Sequence, residues 1–235
     1  MPDLQPTIER NLARVRACIA EAAAQAGRSP SEVKLVGVTK YVGPEVIRSL
    51  VAAGLCDLAE SRPQQLWEKA AALADLPIRW HQIGHLQRNK VRRTLPLVAM
   101  VESVDSARLA TAIEEAAREL GRRVPVLLEV NISGEGAKHG FSPSEVEAAL
   151  ASLSAMHHVE VRGLMGMAGL EGRLDDARRQ FAALRILRDR LQPAWPAGME
   201  PAELSMGMSG DFEVAIEEGA TIVRVGSALF EGLLS

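Results

Sequence analysis

Apolar residues along this chain fall into two alternating patterns. Residues 8–26 repeat with helical spacing: Ile8, Leu12, Val15, Ile19 and Ala22 share one face, and Gly27 follows as a stop. After that helix, short apolar runs alternate with longer helical patterns. The runs are Val33–Thr39, Cys56–Ala59, Ile78–Ile83, Leu97–Val101, Val124–Val130, Val159–Leu164, Glu203–Met206 and Ile222–Val225. Their lengths and spacing predict eight strands. Helix starts are marked between them. Ser142-Pro143-Ser144-Glu145 reads as a capping box with proline at the first helical position, and Ser61-Arg62-Pro63-Gln64 as a similar box. Pro44 opens the helix after the first strand, and Asp105 reads as the cap of a helix starting near Ser106. Phe181, Leu184, Leu187 and Leu191 stripe a further helix.

Strands separated by helices pair in parallel through βαβ units. Eight such units predict an α/β fold, a single (β/α)8 TIM barrel with an extra N-terminal helix. An open doubly wound sheet is the alternative. The first βα turn, Thr39-Lys40-Tyr41-Val42-Gly43, lacks the G-x-G-x-x-G of a dinucleotide fold and counts against it. Gln192–Pro201 holds three prolines and reads as a surface loop before the seventh strand, not a domain linker.

Composition narrows the partners. Apolar residues make up 47% of the 235, which excludes a disordered chain. A net charge of −3 gives no electrostatic reason to expect nucleic acid or a membrane surface. The basic stretch His85–Arg93 reads as a solvated helix face for the same reason. No apolar run reaches the ~20 residues of a membrane helix. Met1-Pro2-Asp3-Leu4 lacks the features of a signal peptide, so a cytoplasmic protein is expected. Cys18 and Cys56 fit no metal spacing and point to a reduced compartment.

Against 22 arginines the chain has five lysines, so each lysine can be weighed individually. Lys40 ends the most strand-like run, Val33-Lys34-Leu35-Val36-Gly37-Val38-Thr39-Lys40. Position alone favours a lysine that snorkels to solvent. In a barrel, however, strand C-termini carry the binding residues, and an apolar wall there lowers an amine's pKa. A neutral amine can form a Schiff base with an aldehyde. The loops after strands seven and eight are Leu204-Ser205-Met206-Gly207-Met208-Ser209-Gly210 and Val223-Arg224-Val225-Gly226-Ser227-Ala228. Small residues and backbone amides at two neighbouring turns read as a phosphate site, against ordinary serine capping of two helices. Arg224 shares parity with Gly226 and so points into the barrel. There it either pairs a core carboxylate such as Glu60 or Glu129, or donates to a cofactor's pyridine nitrogen. His81 and His85 flank the Ile83-Gly84 turn. No third ligand at fixed spacing is evident, so no metal is expected, and His81 reads as a core or cofactor-facing residue.

Five segments together resemble the pyridoxal phosphate homeostasis protein family (the YggS/PROSC group). They are V-G-V-T-Lys40; Trp80-His81-Gln82-Ile83-Gly84-His85-Leu86-Gln87-Arg88-Asn89-Lys90; Gly163-Leu164-Met165-Gly166-Met167-Ala168; Leu204–Ser209; and Val223–Phe230. The resemblance runs from about residue 7 to 232. It implies that residues 1–235 form one barrel domain like the N-terminal domain of alanine racemase, binding pyridoxal 5′-phosphate (PLP). It implies that Lys40 holds the cofactor aldehyde, that Ser205, Ser209, Gly226 and Ser227 contact its phosphate, and that Arg224 meets the pyridine nitrogen. His81, Met165 and Met206, in the same motifs, complete the expected cofactor-binding set. A role in vitamin B6 and amino-acid homeostasis is implied, with no assigned reaction.

Three departures border the expected site. Ser61 stands where the family often has asparagine, Met165-Gly166-Met167-Ala168-Gly169 replaces M-T-M-A-P, and Tyr41-Val42-Gly43-Pro44 follows the lysine. Racemisation needs a second base, which the alanine racemase pattern takes from a C-terminal β-domain not found in this sequence. Tyr41 is expected to point away from Lys40 if the strand continues. A permanent cation at Arg224 disfavours protonation of the ring nitrogen and weakens the cofactor as an electron sink. The expectation is therefore a PLP carrier or buffer serving apo-PLP enzymes, a monomer or weak dimer. A PLP-dependent racemase or lyase of low activity is the alternative. The glycine-rich loop Gly134–Gly140 reads equally as a flap or as a plain loop.

Overall fold

The computed structural model describes residues 4–134, 139–169, 173–195 and 201–233. Eight strands close into one parallel barrel in chain order: Lys34–Val38 (β1), Asp57–Glu60 (β2), Arg79–Gln82 (β3), Val98–Val104 (β4), Val124–Val130 (β5), Val159–Gly166 (β6), Glu203–Ser205 (β7) and Ile222–Val225 (β8). The seam is made by β1 and β8, with Lys34 opposite Ile222 and Gly37 opposite Val225. Around the barrel lie helices α1 (Leu4–Gln25), α2 (Pro44–Ala52), α3 (Pro63–Ala72), α4 (Val91–Thr94), α5 (Ala107–Glu119), α6 (Val146–Leu153), α7 (Leu174–Leu191) and α8 (Phe212–Glu217).

Period-2 alternation in the strands separates two apolar layers. One set of side chains packs between sheet and helices, including Leu35, Leu58, Leu128, Phe181 and Met206. The opposite set, Val36, Ala59, Met100, Leu127, Met165 and Ile222, fills the barrel interior. The interior is thus a packed plug, and a ligand can enter only at its rim.

The N-terminal helix has a structural reason. After β8 the chain makes only the short 3-10 turn Ser227–Phe230 instead of a full helix. Helix α1 packs against that turn, α2 and α8, covering the β8–β1 seam. Asn11 is buried there and donates to Leu229 O at 3.2 Å and Glu231 O at 3.0 Å. The helix starts earlier than its apolar stripe, at Leu4.

Other boundaries moved for definable reasons. Strand β4 runs on to Val104 because Glu102 and Ser103 are fully buried and hydrogen-bonded, although they interrupt the apolar pattern. Neither Ser61 nor Asp105 caps its helix: α3 starts from Arg62 with no side-chain cap, and Ser106 caps α5 by accepting from Leu109 N. In the Ser142–Glu145 segment Glu145 reaches back to Ser142 N at 2.8 Å, but a turn intervenes and α6 begins at Val146. Residues 135–138 of the glycine-rich loop and 196–200 of the proline-bearing loop lie outside the described residues. No described helix is long and apolar enough to cross a membrane.

Candidate functional site

Residues at and after the C-terminal ends of β1, β2, β3, β6, β7 and β8 line a cavity of about 430 Å³ at that face of the barrel. Its walls include Val38, Lys40, Tyr41, Ser61, Met167, Met208, Ser209, Arg224, Gly226 and Ser227. Two larger concavities lie elsewhere: one of about 590 Å³ beside His85 and Arg108, and one of about 540 Å³ around Arg16, Asp57 and Arg79. Volume does not choose between them. The rim cavity alone gathers an amine, a buried guanidinium and two glycine–serine turns, and it sits where barrels place their chemistry.

One end of the cavity is built to accept an anion. The backbone amides of Gly226 and Ala228 converge on a single oxygen, Ser209 Oγ, at 3.1 and 3.5 Å. Gly207, with φ +91°, turns the chain into this cradle; a Cβ there would lie 2.6 Å from Ala215 Cβ. Asp211 accepts from Met208 N at 2.6 Å, and burial pushes its carboxyl up. At the other end Lys40 is exposed, its Nζ 4.8 Å from the centroid of the Tyr41 ring. Strand β1 stops at Val38, so strand alternation no longer applies and Tyr41 stays beside the amine instead of pointing away. The backbone ahead of Lys40 is pinned from below. Lys69 Nζ donates to Thr39 O at 2.7 Å and to Glu60, and Thr39 Oγ1 donates to Glu60 at 2.6 Å.

Beneath the cavity a buried polar chain crosses the barrel. The Arg224 guanidinium donates to Ser205 Oγ and, at 3.0 Å, to Gly166 O. Ser205 Oγ donates to Glu102 at 2.5 Å, and the other Glu102 oxygen lies 2.6 Å from His81 Nδ1. His81 Nε2 lies 3.5 Å from Asp57. Burial opposes the imidazolium, but hydrogen bonds to Asp57 and Glu102 outweigh it and push His81 up to about 9. Glu102 is held below the usual carboxylate range despite complete burial, chiefly by His81 and also by Arg224. Burial pulls Arg224 below its ordinary value against the field of Glu102, Glu129 and Asp211. Glu129 is compensated only in part: burial and the nearby Asp105 push it up to about 7 against the fields of Arg224 and His85.

The chain matches the family model "Alanine racemase, N-terminal domain" over residues 7–233. It is 42% identical, over 93% of its length and 95% of the relative, to the pyridoxal phosphate homeostasis protein of Aquifex aeolicus. The chain belongs to the pyridoxal phosphate homeostasis protein family. Among solved structures, PipY of Synechococcus elongatus with PLP bound shows 35% identity and a TM-score of 0.82, covering 95% of this chain and 99% of that one. An alanine racemase of Clostridium difficile is 18% identical with a TM-score of 0.73. It shares the fold with 98% of this chain, which spans 57% of that enzyme.

For this member of the pyridoxal phosphate homeostasis family, five of the residues picked from the sequence meet at the cavity: Lys40, Ser209, Arg224, Gly226 and Ser227. Four do not line it. Met165 is in the barrel plug, Met206 packs outside the sheet, and His81 and Ser205 serve the buried polar chain. Of the two partners open to Arg224, the core carboxylate at hand is Glu102; Glu129 acts on it only through its field, and Glu60, the other acid considered, is taken by Lys69. Two further groups were not singled out from sequence, Glu102 and Lys69. The signal for Glu102 was a lone acid inside the apolar stretch Met100-Val101-Glu102-Ser103-Val104.

Proposed function

We propose that residues 1–235 act as one barrel domain that binds PLP, with Lys40 bonded to its aldehyde as a Schiff base. The reading rests on one observation above all: Lys40, Arg224 and the Ser209–Gly226 cradle line the same cavity. The cavity is large enough for a ligand of this size, and the two amides now facing Ser209 Oγ are the donors a phosphate oxygen needs. PLP bound in the similar protein PipY supports it. When bound, the cofactor supplies a masked, transferable aldehyde. The protein's residues supply the rest. Ser209, Ser227 and the Gly226 amide hold the phosphate, while the Lys69–Glu60–Thr39 contacts hold the strand end that carries Lys40. Arg224, kept cationic by Glu102, presents a guanidinium toward the ring nitrogen and opposes its protonation.

That arrangement favours holding over turnover, so the protein serves as an intracellular carrier or buffer of vitamin B6 with apo-PLP enzymes as recipients. Purified protein should be yellow, and borohydride reduction followed by peptide mapping should place the adduct on Lys40. A colourless protein that takes up no PLP, or an adduct elsewhere, overturns the reading. Transfer from the loaded protein to an apo-enzyme, set against free PLP, tests the carrier role separately. The position of Tyr41 beside Lys40 keeps a second reading open, a weak racemase. Chiral analysis of amino acids incubated with the loaded protein and its Tyr41→Phe variant decides that.

A further inference from the structure

Three successive βα segments on one side of the barrel mouth bring together three metal-ligating side chains. His85 lies in the segment between β3 and α4, Asp105 directly after β4, and His139 between β5 and α6. Asp105 Oδ2 faces both rings: His85 Nδ1 at 2.7 Å and His139 Nδ1 at 3.8 Å. The imidazoles stack with centroids 4.2 Å apart and planes 12° apart. The three ligand atoms lie within 4.8 Å of one another.

Hydrogen bonding accounts for only part of this arrangement. His85 makes a normal bond to the carboxylate, whereas His139 at 3.8 Å is beyond hydrogen-bond range. A cation in front of Asp105 Oδ2 would engage all three groups. Metal–ligand distances of ~2.0–2.2 Å in a tetrahedral site set ligand atoms about 3.3–3.6 Å apart. The observed 2.7 and 3.8 Å bracket that spacing. Both imidazoles are exposed, at 43% and 60%, so their rings can rotate out of the stack to aim both Nδ1 atoms at one ion without disturbing the core. The carboxylate is already oriented. Ser106 Oγ donates to its other oxygen, Oδ1, at 3.1 Å, and that serine is itself fixed as the cap of α5. The concavity of about 590 Å³ lined by His85 and Asp105 leaves an open coordination position. Arg88 and Arg108 line it too, so the added ligand there is water or an anion.

We propose that His85, Asp105 and His139 bind one divalent transition-metal ion of zinc-like chemistry, at the rim and apart from the cavity that holds Lys40. Two imidazoles and a carboxylate with a vacant fourth position select zinc, cobalt or nickel over calcium or magnesium, which take all-oxygen sets.

The test is a calorimetric titration of chelator-stripped full-length protein with zinc sulfate, in a Cys18→Ser, Cys56→Ser background that removes the thiols. Saturation at one zinc per chain is expected. Affinity should fall by more than about 100-fold in His85→Ala, Asp105→Asn and His139→Ala, and by roughly 10–100-fold in Ser106→Ala. Cobalt in place of zinc should give ligand-field bands of low coordination number, lost in the same variants. Circular dichroism of each variant separates a lost ligand from a lost fold. No saturable binding, or binding that survives the three ligand substitutions, overturns the proposal.

Discussion

Glu102→Gln removes a negative charge from the middle of the barrel while keeping the size of the side chain. Glu102 is fully buried, with His81 Nδ1 at 2.6 Å, the Ser205 hydroxyl at 2.5 Å and the Arg224 guanidinium at 3.9 Å. An amide still accepts from Ser205, but it cannot balance an imidazolium and a guanidinium together. Taking one partner from a buried ion pair costs about 3–5 kcal/mol. The titration of His81 gives a separate figure: a rise from 6.5 to about 9 corresponds to roughly 3 kcal/mol of stabilisation. Because the folded-state pKa is the higher one, this contribution is complete below about 6.5 and is lost as pH rises through about 9. Asp57 also faces His81, so the variant keeps part of it. Burial and Asp105, not Glu102, push Glu129 up to about 7, so its contribution is expected in both proteins and cancels in their difference. The assay is urea unfolding followed by circular dichroism, near pH 6 and near pH 10. Wild type should lose roughly 3 kcal/mol through His81 between these conditions, and about 1 kcal/mol more as the raised Glu129 carboxyl ionises in the same window. The variant should start about 3 kcal/mol lower and lose less, so the gap narrows in alkali. A gap that is constant with pH, or a deficit below about 1 kcal/mol near pH 6, would refute this account of the buried chain.

Other perturbations separate the site from the scaffold. Phe181→Ala empties a fully buried position under α7 and should cost about 3–5 kcal/mol in urea unfolding, with PLP affinity nearly unchanged because the residue lies outside the rim cavity. Gly207→Ala meets both a φ of +91° and a Cβ 2.6 Å from Ala215 Cβ. It should lose roughly 1–3 kcal/mol of stability and, unlike Phe181→Ala, also weaken PLP binding measured by absorbance titration. Ser209→Ala leaves the Gly226 and Ala228 amides without their present acceptor. It should weaken binding of PLP and of inorganic phosphate in parallel, by about one hydrogen bond's worth, or 0.5–1.5 kcal/mol, with little effect on pyridoxal. Equal losses for pyridoxal and PLP would place the phosphate elsewhere.

How much of this could be read along the chain follows from the range of the forces involved. Period-2 and helical spacing are local, so the eight strands, the parallel order and the N-terminal helix were legible from side-chain polarity over ten or twenty residues. The Lys40, Gly207 and Gly226 positions were legible too, because strand ends and glycine turns carry their own chemical signature. Pairings between distant polar groups carry no such mark. Glu102 reaches Ser205 across 103 positions, and Lys69 reaches the backbone of Thr39 from the next helix but one along the chain. His85 finds Asp105 and His139 only because closing the barrel sets three βα turns side by side. Tyr41 lies against Lys40 because β1 ends at Val38 and the last bond to β2 is made by Thr39 N, at Ala59 O. Hydrophobic order along the strands was enough to specify a barrel with a binding rim. Which charges neutralise one another inside it was settled by closure, since burial drives charged groups to pair with whatever strand lies opposite.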